Sequence, residues 1–565
     1  MKYFSLFSVL VLTLTGCGDH DSDNPYSSLV PVLSGEVPSE VPLPPAEIED
    51  DPVLSRPFFD TFSWQSFIAL SWPADPANRG VPLEPDSPAL FRASNTTGGD
   101  SAAIVWETYR EGFELFPNDG SVPPEWNSTE PSQTPAGPNG GRVLAMVTKG
   151  GLLDEVNEAF GGPLIDQNRN YVRYEVRVNR IEYDQVRNNV WYDKDTVDAA
   201  IAQTVQEQID AGISPQQGIE FDVNSLELKG AWRELTDDDD PDRYYSVEAL
   251  IANEDGDYVT ATMGLVGLHI MQKTEIFPQW IWSTFEHVDN VSGSHPSFNN
   301  GTDIPASIEV DGVPQGYDRE PAVLGDTFPP SESADRDPVQ VTRALPIPST
   351  PDDPSGYSTQ ALNVRYQELL AGTVWENYEL IATQWPLNPS ESSPYDPGFV
   401  PDDDYAPVLA GDPFPQFVAN VSMETYFQTD NSCMQCHYHA AAYGVDYSWI
   451  LYDRVIAPEV STKATPTDLI ALASQEHGFS AGEGLLGDGK PRSHPFQSLS
   501  ASNLPKAGSA GEGPAGLAET AGGPGSDAQK ASAPPAVPLT GILGSLALGG
   551  LLVGLGASRS RRARK

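Results

Sequence analysis

Three cysteines in 565 residues, at positions 17, 433 and 436, leave this chain without a disulfide framework, because each can be given a separate covalent task. Its fold must therefore rest on a buried core. The material for one is present: 11 Trp, 21 Tyr and 21 Phe suit an aromatic-rich interior, and the length allows two or three domains. The surface is acidic. Asp and Glu number 80 against 32 Lys and Arg, a formal charge of −48. Such a surface repels nucleic acid and anionic headgroups, keeps the protein soluble, and would attract a basic protein partner. The acidic runs Asp237–Asp240 and Asp402–Asp404 lack the spacing of a calcium loop.

Both ends read as address signals. Met1-Lys2 followed by apolar Tyr3–Leu14 predicts a secretory signal peptide over residues 1–16, too short for a comfortable membrane span. Leu14-Thr15-Gly16-Cys17 resembles the bacterial lipoprotein cleavage box, which implies cleavage before Cys17 and lipid on that residue. Residues 17–57 are acidic and Pro-rich and read as a tether. Residues 498–538, rich in Gly, Ala, Ser and Pro, read as a flexible linker. Within residues 539–565 an uncharged stretch, Leu539–Ala557, precedes Arg559, Arg561, Arg562, Arg564 and Lys565, the pattern of a membrane-spanning helix with a cytoplasmic basic tip. That order resembles the tripartite sorting tails of Gram-negative bacteria, which are cut; a permanent anchor and a processed tail both fit. An outer-membrane lipoprotein cannot also keep a helix in the inner membrane. The chain is thus expected in the bacterial cell envelope, membrane-anchored, on the periplasmic side or the cell surface.

Between these ends the pattern predicts an α+β protein, with a mostly β N-terminal domain (58–345) packed against a smaller, mainly helical domain (346–497). Arg142–Val147, Tyr174–Val178 and Val259–Ile270 carry strand-forming runs. Val197, Ile201, Val205 and Ile209 recur every four residues and predict a helix ending at Gly212. Residues 292–355 read as a long irregular connection. Leu362, Tyr366, Leu369, Leu370, Val374, Tyr378 and Ile381 lie at helical spacing and predict a second helix.

The chemistry centres on Cys433-Met434-Gln435-Cys436-His437. Cys-x-x-Cys-His is the attachment pattern of c-type haem. Two intervening residues let both thiols reach the vinyl groups of one porphyrin edge, and His437 then stands under the iron as proximal ligand. Ser432 is placed to cap the helix carrying them. A zinc site from Cys433, Cys436, His439 and His477, or a dithiol redox pair, are the weaker readings.

Around this motif the chain is similar to an uncharacterised group of bacterial cytochrome c family proteins. The similarity rests on Trp64-Gln65-Ser66-Phe67, Lys229-Gly230-Ala231-Trp232, Gly267-Leu268-His269-Ile270, Trp280–His287, Met423–Gln428 and the motif itself, over roughly residues 58–455. It implies one covalent haem and an exported location.

The sixth iron ligand is open. No Met follows Met434, so the common downstream methionine is missing. Met263, Met271 and Met423 remain, as do several histidines. His439 is too close to His437, and His295, His477 and His494 lie in loop-like sequence. His269 and His287 lie in the densest apolar segments and are the preferred distal ligands, although a histidine there is more often a hydrogen-bonded core residue. Glu286 beside a histidine over open iron would equally suit acid–base work. The leading reading is a membrane-tethered monohaem electron carrier serving a redox partner protein, with a basic one suiting the acidic surface. A haem enzyme (peroxidase-like or another oxidoreductase) with its pocket in the β-rich domain, and a haem-based sensor, are the alternatives.

Overall fold

Tyr258–Gln272, the longest β-patterned run, is the spine of an antiparallel sheet in the computed structural model. The structure describes residues 24–451 apart from 98–102, 118–119, 130–143, 145–162, 212–217, 253–257, 302–306, 311, 320–336, 350–355, 388–412, 430 and 443. The expected signal peptide, Cys17, the linker and the segment 539–565 lie outside the described residues, as do His477 and His494 and most of the expected strand 142–147. Among the described residues no helix is long and apolar enough to cross a membrane.

In chain order the elements are α1 (Pro52–Leu70), α2 (Pro88–Ser94), β1 (Arg110–Glu111), α3 (Gly112–Leu115), β2 (Arg173–Val178), α4 (Arg180–Asn188), α5 (Lys194–Asp210), β3 (Leu226–Glu234), β4 (Ser246–Ala252), β5 (Tyr258–Gln272), β6 (Ile281–His287), β7 (Glu309–Val310), β8 (Val313–Pro314), α6 (Thr359–Leu370), β9 (Tyr378–Pro386), β10 (Pro413–Phe414) and α7 (Cys433–Ala442). Eight strands form one antiparallel sheet in the order β1-β2-β3-β5-β6-β9-β10, with β4 paired to the first half of β5; β7 and β8 form a separate hairpin. The protein is thus α+β with a β-rich part.

Successive strand residues face opposite sides, and the two sides of this sheet carry different layers. On one side lie α1 and α6. The Ser63 hydroxyl of α1 sits 2.7 Å from Ser283 Oγ and 2.6 Å from Thr383 Oγ1. Trp64 stacks on Tyr366 of α6 at 5.0 Å and meets Phe285 edge-on at 5.1 Å. Trp64 and Phe67 are fully buried, and each such side chain contributes about 1.5–3 kcal/mol through burial. On the other side lie α7 and the segment 418–428. Gly267 of β5 permits the close approach of that segment: a Cβ there would stand 2.2 Å from Ser422 Oγ.

Four expectations are corrected. The expected mainly helical domain 346–497 includes a strand among its described residues: β9 pairs with β6 from Trp282↔Gln384 to His287↔Tyr378, inside the main sheet. The long helix from Leu362 to Ile381 stops at Leu370, where Gly372 takes a left-handed backbone (φ +81°), and Tyr378–Pro386 continues as a strand. A strand buried on both faces lacks the apolar–polar alternation that marks a strand, so its apolar residues are easily read at helical spacing. The tether is not free: Tyr26, Leu29, Val41 and Ile48 are buried with Phe58, Phe59, Phe277 and Trp385. Finally, α1 starts before Phe58, at Pro52, with Asp51 accepting from the Val53 and Leu54 N–H groups. By contrast, α5 over Lys194–Asp210 and β2 and β5 match their expected positions.

Candidate functional site

The motif opens α7. Its cap differs from the expected one. The side-chain oxygen of Gln384, from β9, accepts the Met434 N–H at 2.8 Å and the Ser432 hydroxyl at 3.3 Å. The helix N-terminus is therefore satisfied in part from the sheet, and the Ser432 hydroxyl bonds the same Gln384 oxygen. This fixes α7 on the face that carries Gln384 and Trp282. Met434 is fully buried, while Cys433, Cys436 and His437 are half-buried. Both cysteines are thiols, one helical turn apart.

His437 is oriented by the segment that follows. Its Nδ1 stands 2.6 Å from the Tyr447 carbonyl oxygen. A carbonyl can only accept, so Nδ1 carries the hydrogen, and a neutral ring then keeps its lone pair on Nε2. That is the arrangement of a metal-ligating histidine whose second nitrogen is held by backbone. Trp282 and Trp449 flank the ring, with centroids at 6.1 and 6.3 Å. Asp446 and Tyr447 both adopt left-handed backbone (φ +53° and +61°), and Trp280, at φ +68°, donates its indole N–H to the Asp446 carbonyl at 3.0 Å. For non-glycine residues such conformations cost about 1–3 kcal/mol each and persist where the surroundings over-determine them, commonly at functional sites.

The donor set fits a covalent haem: two thiols at attachment spacing and an imidazole whose neutral tautomer carries its lone pair on Nε2. A further observation agrees. The indole N–H of Trp282, against His437, is buried and has no acceptor, which a bound group carrying carboxylates would supply. Among the described residues no group of three or more His, Cys, Asp and Glu side chains is placed to hold a metal ion by itself.

The two expected distal histidines separate. His269 of β5 pairs across to Thr284, and Thr284 Oγ1 accepts from Asn420. It therefore lies on the same face as α7, with its Nε2 3.6 Å from Glu424 Oε2. Met271, one same-face step of about 6.7 Å further along, is the cross-strand neighbour of Trp282 and shares the motif's core cluster. His287 lies on the opposite face. It is fully buried, stacks on Tyr244 at 4.0 Å, donates through Nε2 to the Arg243 carbonyl at 2.9 Å, and accepts the Asp289 N–H on Nδ1 at 3.1 Å. Both nitrogens are used, and burial pushes its pKa down to about 4. The distal assignment to His287 is therefore corrected: it is a core histidine. Met423 packs instead with Val421, Tyr426 and Tyr174 in a second cluster without α7.

Glu286, considered for acid–base work, is also occupied. Arg343 holds both its oxygens at 2.9 Å, and Oε1 accepts the Val421 N–H at 2.7 Å. Comparison with protein-family models, curated proteins and solved structures returns no match for this chain.

A group that sequence reading missed lies beside the segment that orients His437. Glu182 of α4 is fully buried, and neither carboxyl oxygen has a hydrogen-bond partner. Burial first, then the nearby Glu227 and Asp446 carboxylates, push its pKa well above the ordinary range. Asp446 is raised to about 6, chiefly by burial, against the pull of Lys273, whose Nζ is 2.7 Å from Asp446 Oδ2. Only three-dimensional proximity reveals this group, because residues 182, 227 and 446 share no sequence pattern.

Proposed function

We propose that this chain is a monohaem c-type cytochrome of the bacterial cell envelope that transfers single electrons at a membrane. The observation that carries the reading is the hydrogen bond from His437 Nδ1 to Tyr447, on the helix that also bears Cys433 and Cys436. Both thiols would hold the porphyrin through thioether bonds, and Nε2 of His437 would ligate the iron. The bound group supplies a reversible one-electron couple. The protein's part is to orient the imidazole through Tyr447, to exclude water with Trp282 and Trp449, and to set the local charge. His269 is retained as the distal ligand on its shared face with α7. The carrier reading is favoured over the enzyme reading because Glu286 and His287, the residues an acid–base mechanism would use, are both engaged in structural bonds. The strongly acidic surface suits a basic redox partner. Tethering through Cys17 and the C-terminal segment belongs to the same proposal.

The test is coexpression with haem-attachment machinery. The protein should keep haem stain on a denaturing gel, Cys433→Ala or Cys436→Ala should weaken it, and the double variant should lose it. Zinc in place of iron on elemental analysis would overturn the reading.

A further inference from the structure

We infer that Glu182, Glu227 and Asp446 form an internal acid cluster that takes up a proton when the motif site takes up an electron. The inference rests on the haem reading and extends it to proton coupling.

The geometry is specific. Glu182 projects from the first turn of α4, whose N-cap Asn179 donates its N–H to Leu226 and its side-chain amide to Asn224. Those residues lead into β3, which carries Glu227. Glu182 is the third residue after that cap, where a glutamate ordinarily reaches back to the cap N–H. Here Leu226 has already taken that N–H, and Glu182 points inward. Its two oxygens, Ser225 Oγ and Asp446 Oδ1 are all buried without partners, which leaves four unsatisfied oxygens in the same region. Such a set is costly unless protons or ordered water occupy it.

The charges facing Glu182 are the carboxylates of Glu227 and Asp446, from β3 and from the segment after α7. Glu227 from β3 is bonded by Ser448 Oγ at 2.7 Å. Asp446 comes from the segment after α7, and its Oδ2 accepts the Phe221 N–H at 2.7 Å. Lys273, at the end of β5, bridges Asp446 and Glu220, the latter at 3.2 Å. Lys273 thus stands beside Asp446 while Glu182 has only carboxylates as charged neighbours, so burial and like charge both favour a protonated Glu182.

The same short segment links cluster and motif. Asp446 and Ser448 bond Lys273 and Glu227, and Tyr447 between them holds His437. An electron from a one-electron reductant adds negative charge beside this segment. A proton from solvent then joins a carboxylate of the cluster as an O–H bond, so the local net charge is unchanged. Reduction and protonation therefore favour one another.

The experiment is potentiometric titration of the haem-loaded, full-length protein across pH 5–9, with dithionite as reductant, for wild type and Glu182→Gln. The wild-type midpoint potential should fall as pH rises, and Glu182→Gln should lose most of that dependence while keeping its haem. Redox-difference infrared spectra of the wild type should show a protonated-carboxyl C=O band that changes on reduction and shifts in D2O; this arm needs no variant to fold. A pH-independent wild-type potential, an unchanged slope in Glu182→Gln, or no carboxyl band in the difference spectrum would each overturn the inference alone. Absence of haem from the gel would instead overturn the functional reading beneath it.

Discussion

His287 offers the sharpest quantitative test of the architecture. Its ring is fully buried, stacked on Tyr244, and bonded at both nitrogens to Arg243 and Asp289. In the unfolded chain an imidazole titrates near 6.5; in the fold, burial pushes His287 down to about 4. A depressed folded value means that the neutral ring's contribution is intact above pH 6.5 and is lost as pH falls toward 4. One pKa unit corresponds to about 1.36 kcal/mol, so at pH 5 the loss is about 2 kcal/mol. His287→Gln cannot remake both bonds, and each buried group left unpaired costs about 1–3 kcal/mol, so the variant should be clearly less stable at pH 7. Because it no longer titrates, the gap from wild type should shrink by about 2 kcal/mol between pH 7 and pH 5. Urea unfolding followed by tryptophan fluorescence measures both. A gap that is constant with pH would refute a neutral, buried His287. The same variant should leave the haem spectrum unchanged, whereas His269→Ala should turn a low-spin spectrum high-spin; the reverse pattern would restore His287 as the ligand.

Two further outcomes are expected. Labelled palmitate should enter the wild type and not Cys17→Ser, and equal labelling of both would exclude lipidation at that cysteine. Electron exchange with a basic redox protein should slow steeply as ionic strength rises, because attraction to a chain of charge −48 is screened over about 8–10 Å at physiological salt; a flat salt profile would leave the acidic surface as a solubility device.

Local chemistry was the legible part. The motif at Cys433, Cys436 and His437 is contiguous, and its spacing is set by one turn of helix, so it could be read without any fold. The amphipathic α5 was legible from its four-residue period, and strands β2 and β5 from runs rich in β-branched residues. Where burial is on all sides the period disappears. Helix α1 was missed for that reason: Phe58 through Leu70 are buried at all but one position. The start of β9, Tyr378 to Ile381, reads as the end of a helix although the strand is buried at eight of nine positions.

What the sequence by itself determined is therefore the reactive set at residues 433–437, the acidic character of the surface and the presence of a β-rich core, since each depends only on residue type and near spacing. Tertiary structure decided the rest. It placed β9, from the part expected to be helical, beside β6 in the main sheet. It set His269 and His287 on opposite faces of one sheet, an outcome fixed by strand register that composition does not record. It gave α7 its cap from Gln384, and it gathered Glu182, Glu227 and Asp446 around the segment that orients His437. These contacts join residues 45 to more than 250 positions apart, and their energies come from burial and mutual charge, which exist only once the chain has closed around them.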